Sequence, residues 1–396
     1  MCFDFVNKSE VWMYRQATGL SRLDCVVLCA RQINADLFPM TSRNIYNIPL
    51  SLSYSSNVFY RPIGKVIKAL QRIFSVRSPA YSNELSARTR RWLAHRVKMD
   101  MPCAVLLHYG TNGIRYAKTY KELQIPVVVH FNGFDLSRLI RDPAYKRSLA
   151  LNINNIDAFV VVAKYMYDEL IALGVDHAKV KYIPYGIPLF DSKRHELNNE
   201  SCVFCAVGRL TEKKAPLLLI KAFNQCLKEC EKQKKKVELF LIGDGELLDS
   251  CKSLVRTYGI EKNITLFGSR SNDEVMELLS KSHVFVQHSI TSDSGDKEGW
   301  PVAVAEAAAA GLPVISTLHA SIPEQVIHRE SGILVEEKDW EQMAEAMAEL
   351  ALDSVKREKY SRYAKIHIAQ WELASQLAKL EDLLLEAGSN LAKVDR

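Results

Sequence analysis

Short apolar runs bounded by glycine and polar residues recur along this chain, with amphipathic stretches of helical period between them. In the first half, apolar runs at 25–30, 103–108, 127–131, 158–162 and 181–183 predict strands, and the patterns at 114–123 and 165–173 predict helices. The second half keeps a stricter rhythm. Strands are expected at 202–207, 238–242, 264–267, 284–288, 313–316 and 332–335, and helices at 216–232, 246–258, 273–281, 301–310, 323–328 and 340–352. Strands that are apolar throughout, alternating with helices, predict parallel sheets covered on both faces. Ligands then belong at the carboxyl ends of the strands, where Gly208, Gly243 and Gly268 each follow one. The polar stretch 188–201, with five charged residues and His195, reads as a linker. The expected organisation is a domain over 1–187, this linker, a domain over 202–371 and a final helix within 372–396.

The densest chemistry lies in Asp296-Lys297-Glu298-Gly299-Trp300-Pro301-Val302-Ala303-Val304-Ala305-Glu306. Glu298 sits in a polar loop, and Glu306 lies eight residues later inside an Ala/Val-rich helix. Gly299 permits close backbone approach, and Pro301 suits the first helical turn. The helix N-terminus offers unpaired N–H groups and a partial positive charge, which suit an anion. Glu306, one turn deeper, would accept from hydroxyls attached beyond that anion. A phosphate with a sugar on each side fits; so does a plain helix entry with one partly buried Glu. Upstream, the strand at 202–207 runs into Gly208-Arg209-Leu210-Thr211-Glu212-Lys213-Lys214. Arg209 and Lys214 are spaced to reach one pyrophosphate, Arg by a forked contact and Lys as a point charge. Lys213 reads as a solvated neighbour.

Arg209 with Lys214, Gly243-Asp244-Gly245 and the segment from Glu298 to Glu306 resemble the donor half of family-4 retaining glycosyltransferases. The segments 106–113, 128–135, 162–164 and 183–187 are similar to first-domain segments of that family, and the likeness runs from about Ser9 to about Trp371. It is strongest to enzymes that assemble bacterial exopolysaccharide or lipopolysaccharide repeat units. The resemblance implies an α/β, GT-B fold: two Rossmann-like doubly wound domains facing a central cleft, the last helix crossing back to the first domain. It implies transfer of a hexose, with retention, from a nucleoside-diphosphate sugar to a lipid-linked or oligosaccharide acceptor. Donor contacts then fall to Arg209, Lys214, Gly268, Arg270, Gly299, Trp300, Pro301, Val302 and Glu306, with Glu298 on hydroxyls of the transferred sugar. The acceptor side falls to Asn112, Gly113, Asn132 and Asp135. Many relatives carry a His where this chain has Asn132. His130, two residues earlier and on the same face of a strand, is the candidate beside the reaction centre; a lone His at a strand end also serves structure alone.

Length and composition fit this without demanding it. The 396 residues, 48% hydrophobic and 25% charged, suit a globular chain of two domains. No apolar run approaches the ~20 residues of a membrane span, and the first ten residues lack the pattern of a signal peptide. Nine cysteines, an odd number without zinc spacing, read as reduced, buried thiols of a cytoplasmic protein. No D-x-D motif stands in the chain, so no metal and no other cofactor is expected. Between Arg61 and Lys98 there are ten Lys/Arg and one acid, Glu84, within a net charge of +6. Positions 63–74 form an apolar stripe flanked by Lys65, Lys68 and Arg72. That pattern suits an anionic membrane surface on the inner face, or equally a core-facing helix with a solvated basic side. Nucleic acid is not expected, since no recognisable nucleic-acid-binding module stands there. Other enzymes of this architecture, a nucleotide-sugar epimerase or a phosphorylase, and a non-catalytic sugar-binding or scaffold protein are the alternatives.

Overall fold

The computed structural model describes residues 2–5, 10–36, 38–40, 45–48, 81, 85–189 and 200–394. The stripe at 63–74 and most of the expected linker lie outside them. The chain divides into two compact units, Met1–Ile183 with Gln376–Arg396, and Pro184–Ser375.

The first unit holds two parallel sheets. One pairs β1 (Cys2–Phe5), β2 (Val27–Gln32) and β3 (Ile45–Asn47) in that order; the other pairs β4 (Val105–His108), β5 (Val127–Phe131), β6 (Ala158–Val161) and β7 (Val180–Tyr182). Every residue of β5 and β6 is buried, so both faces are covered, as continuous apolar runs require. The helix Gly110–Glu122 buries Ile114, Tyr116, Ala117 and Tyr120. Gly113 lets this helix approach the sheet, because a Cβ there would stand 3.0 Å from Val129 Cγ2. The C-terminal helix Leu373–Val394 adds Leu380, Leu383 and Leu384 to a core shared with Val128, Ala158, Val160 and Ile183. Each such leucine contributes about 1.5–3 kcal/mol by leaving water. Arg22 fixes the same helix: its Nε lies 3.1 Å from Glu381 Oε2, and its Nη1 lies 2.9 Å from Asp382 Oδ1.

The second unit is one parallel sheet of β8 (Ser201–Val207), β9 (Lys236–Ile242), β10 (Ile264–Gly268), β11 (Val284–Val286), β12 (Val314–Thr317) and β13 (Gly332–Val335), in the order β10-β9-β8-β11-β12-β13. The chain winds outward one way from β8 and the other way from β11, so the topological switch point lies between these two neighbours. Helices Pro216–Lys232 and Trp340–Leu352 pack together over the core. Their starts follow from sequence: Pro216 stands in the first turn, and the Asp339 carboxylate accepts from Gln342 N–H at 2.8 Å.

Elements with strong apolar period lie close to where the pattern put them, although β2 occupies 27–32 rather than 25–30. Helices Pro143–Asn152 and Ser354–Ile368 and strand β3 gave no such signal. The helix Ser354–Ile368 buries Arg357, Tyr360, Ala364 and Ile368, a spacing of helical period masked by one arginine and one alanine. None of the nine cysteines, all among the described residues, forms a disulfide, but not all are buried as expected: Cys103 is exposed and Cys25 only half-buried. Among the described residues no helix is long and apolar enough to cross a membrane.

The strand ends of the second unit are stitched through Gly243. Its N–H donates to Gly268 O at 2.9 Å, its φ is +141°, and a Cβ there would stand 1.9 Å from Gly208 O. Gly243→Ala is expected to lower the unfolding free energy by at least about 2 kcal/mol. Gly259→Ala, with φ +67° but nothing within 4 Å of its Cβ, is expected to cost only about 1 kcal/mol. Urea denaturation of both variants checks the ranking, and the reverse order would mean that the strand ends can part freely.

Candidate active site

At the switch point the connections leaving β8 and β11 diverge, and the side chains singled out in the second half gather in the opening. Gly208 follows β8, Arg209 is exposed beyond it, and the chain turns back to bring in Lys213 and Lys214. The Lys214 stem runs past Gly208, where a Cβ would lie 3.4 Å from Lys214 Cε. Lys214 Nζ stands 3.0 Å from Glu298 Oε1 and donates to Gln287 Oε1 at 3.2 Å. Gln287 Nε2 donates to Ser289 Oγ at 2.8 Å, and Ser289 Oγ donates to Glu298 Oε1 at 3.4 Å. Ala215, next to Lys214, is held at φ +38°. Such a conformation costs an alanine about 1–2 kcal/mol.

Lys214 and Glu298 are 17% and 7% exposed, so their charges meet largely out of water. Burial pushes the Glu298 carboxyl up, but the ammonium groups of Lys214 and Lys213 outweigh it and hold it at about 2. Burial lowers the Lys214 ammonium below its usual value, against the pull of Glu298. Glu298 is therefore an ionised acceptor at neutral pH. Lys213 is not the solvated neighbour its sequence context implied. Its Nζ lies 3.1 Å from Asp296 Oδ2 and donates to Lys297 O at 3.2 Å, because the turn at Ala215 folds both lysines toward the loop after β11.

That loop is anchored on its other side. Glu298 N–H donates to His319 Nε2 at 3.0 Å, and His319 Nδ1 lies 2.6 Å from Glu337 Oε1. Glu337 accepts from Thr291 N–H at 2.7 Å and from Thr291 Oγ at 3.2 Å. Past Glu298 the chain enters the helix Val302–Ala309, with Pro301 just before it and the first bonds made by Val304 N–H and Ala305 N–H to Pro301 O. The Val302 and Ala303 N–H groups precede those bonds and define the electropositive end. Glu306 follows one turn on and is 6% exposed. Trp300 is buried and meets Trp371 edge-on, with ring centroids 4.9 Å apart. Gly268 ends β10 and Arg270 follows it, exposed over the Phe267 ring and 3.6 Å from Glu274. Among the described residues no three or more His, Cys, Asp or Glu side chains gather to hold a metal ion.

The candidates of the first unit form their own cluster. His130, the residue before the last of β5, is fully buried; its ring lies 5.7 Å from Trp12 and 5.5 Å from His108. Burial pushes its imidazole down to about 3, so it is neutral. Gln16 Nε2 lies 3.5 Å from His130 Nδ1. Asn132 N–H donates to Asp135 Oδ2 at 2.9 Å, closing the turn after β5, and Asn112 Nδ2 donates to His108 O at 2.8 Å. Burial pushes the Asp135 carboxyl up to about 7, against the bonds from the Asn132 and Gly110 backbone. Gly113 faces Val129 from inside the helix Gly110–Glu122.

Gln287, Ser289, His319 and Glu337 escaped the sequence reading. The signal was there: each lies one to three residues past the carboxyl end of β11, β12 or β13, where an α/β sheet places ligands.

The depressed Glu298 carboxyl has a measurable consequence. An unfolded carboxyl of ordinary affinity takes up its proton first as pH falls. The stability linked to Glu298 is thus complete above pH 4.5 and lost toward pH 2. Between about pH 5 and pH 3, wild type is expected to lose roughly 2 kcal/mol more than Glu298→Gln. Denaturant titrations at several pH values check this, and parallel curves would contradict the ion pair.

Comparison with known proteins identifies the family and the fold. Residues 9–189 match the family described as Glycosyltransferase Family 4, and residues 189–367 match Glycosyl transferases group 1. The amylovoran biosynthesis glycosyltransferase AmsK of Erwinia amylovora is 30% identical over 287 residues, which cover 69% of this chain and 70% of that protein. The putative colanic acid biosynthesis glycosyltransferase WcaL of Escherichia coli is 30% identical over 61% of this chain, and the chain spans 60% of its length. Among solved structures, HepE of Anabaena in complex with UDP and glucose superposes with a TM-score of 0.72 at 16% identity, covering 97% of this chain and 98% of that one. WaaG, a glycosyltransferase involved in lipopolysaccharide biosynthesis, gives 0.66 at 13% identity, covering 97% and 98%. These two likenesses establish the GT-B fold, and the sequence matches establish the family. The chain belongs to the glycosyltransferases, with a family-4 half followed by a group-1 half.

Proposed function

We propose that this glycosyltransferase moves a hexose from a nucleoside-diphosphate sugar to a lipid-linked or oligosaccharide acceptor in surface-polysaccharide assembly, with retention and without a metal ion. The observation that carries the proposal is the buried Lys214–Glu298 pair directly before a helix that presents its N-terminus and then Glu306. The printed roles of AmsK and WcaL, and the UDP and glucose bound by HepE, support the substrate class.

Each residue then has a role. Arg209 and the Val302 and Ala303 N–H groups face the diphosphate, whose negative charge grows as the bond to the sugar breaks. Lys214 adds a positive charge from behind Glu298. The ionised Glu298 accepts from hydroxyls of the transferred hexose, and Glu306 from the ribose hydroxyls. The anomeric carbon loses its bond to the phosphate oxygen and gains one to the acceptor oxygen on the same face. The acceptor proton passes to the departing phosphate. No base opposite the leaving group is needed, which suits a first unit whose candidate, His130, is buried and neutral. The acceptor side falls to His130, Asn112, Gly113, Asn132 and Asp135. The helix Ala87–Asp100 exposes Arg88, Arg90, Arg91, His95 and Lys98, which supports peripheral docking on an anionic, cytoplasmic membrane face.

Thermal-shift titration with UDP, GDP and ADP, each with magnesium and with chelator, tests the donor site. One diphosphate is expected to stabilise the protein, by about 2.7 kcal/mol at a hundred times its Kd. The shift should be unchanged by chelator and lost in Glu306→Ala or Arg209→Ala. No shift with any nucleotide would reject the reading, and a shift that needs magnesium would reject metal independence.

A further inference from the structure

The donor-site reading leaves His319 without a role, yet its imidazole is the most tightly specified side chain near Glu298. Its side chain is 0% exposed, and both ring nitrogens are engaged inside the protein. Nε2 accepts from Glu298 N–H, so that nitrogen carries no proton. Nδ1 must then hold the hydrogen and donate it to Glu337 Oε1. Glu337 is itself oriented, since Oε2 accepts from Thr291 N–H and Oε1 from Thr291 Oγ. The order Thr291, Glu337, His319, Glu298 thus ties together the segments after β11, β12 and β13 and sets one tautomer. The residue after the imidazole, Ala320, is held at φ +48°, a strain that the surrounding packing sustains.

We propose that His319 is a positioning residue: its Nε2 lone pair holds the Glu298 main chain so that the carboxylate meets the hexose of the donor. This rests on the donor-site reading and deepens it. With both nitrogens engaged, the ring exchanges no proton with a substrate. It acts instead through the bond to Glu298 N–H, at the residue where the loop turns into Gly299, Trp300 and Pro301 ahead of the helix. Lys214 and Ser289 restrain the carboxylate end of Glu298, and His319 restrains its backbone end. The charged groups facing the ring are Glu298, Glu337 and Lys213. A proton added at Nε2 would turn the acceptor into a donor pointing at another donor. The neutral Nδ1–H form is therefore the one that holds the loop.

Two conservative substitutions separate this role from simple packing. His319→Gln places an amide oxygen near the position of Nε2 and keeps an acceptor for Glu298 N–H. His319→Asn keeps a donor toward Glu337 and leaves nothing at Nε2. Affinities for UDP and GDP, and for UDP-glucose and GDP-mannose, are measured by calorimetry on the full chain. His319→Asn is expected to weaken the preferred nucleotide-sugar by about ten-fold, the effect of one lost buried hydrogen bond, while the bare diphosphate stays within about three-fold. His319→Gln is expected to recover most of the loss. Equal weakening of diphosphate and sugar conjugate, no weakening of either, or equal effects of Asn and Gln would overturn the proposal. If wild type binds neither class, the donor-site reading fails, and this proposal fails with it. Should His319→Asn not fold, imidazole nitrogen NMR of wild type decides, with the signal assigned from the His319→Gln spectrum. A bare Nε2 and a protonated Nδ1 are expected; the opposite tautomer or a charged ring would contradict the proposal.

Discussion

A lysine and a glutamate largely withdrawn from water at the end of a parallel sheet set the terms for the rest of the second unit. Removing both charges from solvent costs several kcal/mol per ion, and mutual attraction offsets this only when the geometry is good and the remaining polar atoms are satisfied. Here Gln287 takes a second bond from Lys214, Ser289 supports the Glu298 carboxylate, and Lys213 adds positive charge nearby. Loss of either partner would strand a buried charge, at about 3–5 kcal/mol. A hydrophobic pair of similar volume would hold the fold as well. What the ion pair supplies is a carboxylate fixed in its ionised form before any ligand arrives.

The sheet makes that pair possible. With β8 and β11 adjacent, the segments after both strands open toward the same place, and Lys213 and Lys214 from one meet Asp296 and Glu298 from the other. Gly243 lets the end of β9 close on the end of β8, and the left-handed turn at Ala215 aims both lysines inward. Local strain at Ala215 and Ala320, the two alanines that follow Lys214 and His319, is balanced by packing elsewhere in the unit. The helix carrying Glu306 is built almost wholly of Ala and Val and is buried over most of its length. Burial from Val304 onward holds the body of the helix behind the half-buried Val302 and Ala303.

Most of this unit was legible in the sequence because its strands are short, apolar throughout and separated by helices of clear period. Glu298, Arg209 and Lys214 stood out as charges near glycine or proline after strands, and Glu306 as the one charge inside an Ala/Val-rich helix. The supporting residues did not. Gln287, Ser289, Thr291 and Glu337 are ordinary polar residues in loops, and only the meeting of three strand ends gives them a shared partner. His319 looked like any loop histidine until the fold set its Nε2 against Glu298 N–H. In the first unit the helix Pro143–Asn152 was announced by Asp142-Pro143, an N-cap and first-turn pair, but its apolar face is too sparse to register as a period. Lys213 was misjudged because nothing local marks a left-handed alanine.

The place where a nucleotide binds decides whether the helix after Pro301 and the Lys214–Glu298 pair form one nucleotide-sugar site. A crystal structure with the bound nucleoside diphosphate is the most direct measurement. Phosphates are expected at the Val302 and Ala303 N–H groups within reach of Arg209, ribose hydroxyls on Glu306, and the Glu298 carboxylate in place beside the terminal phosphate. A nucleotide bound elsewhere, or one whose ribose lies away from Glu306, would contradict this.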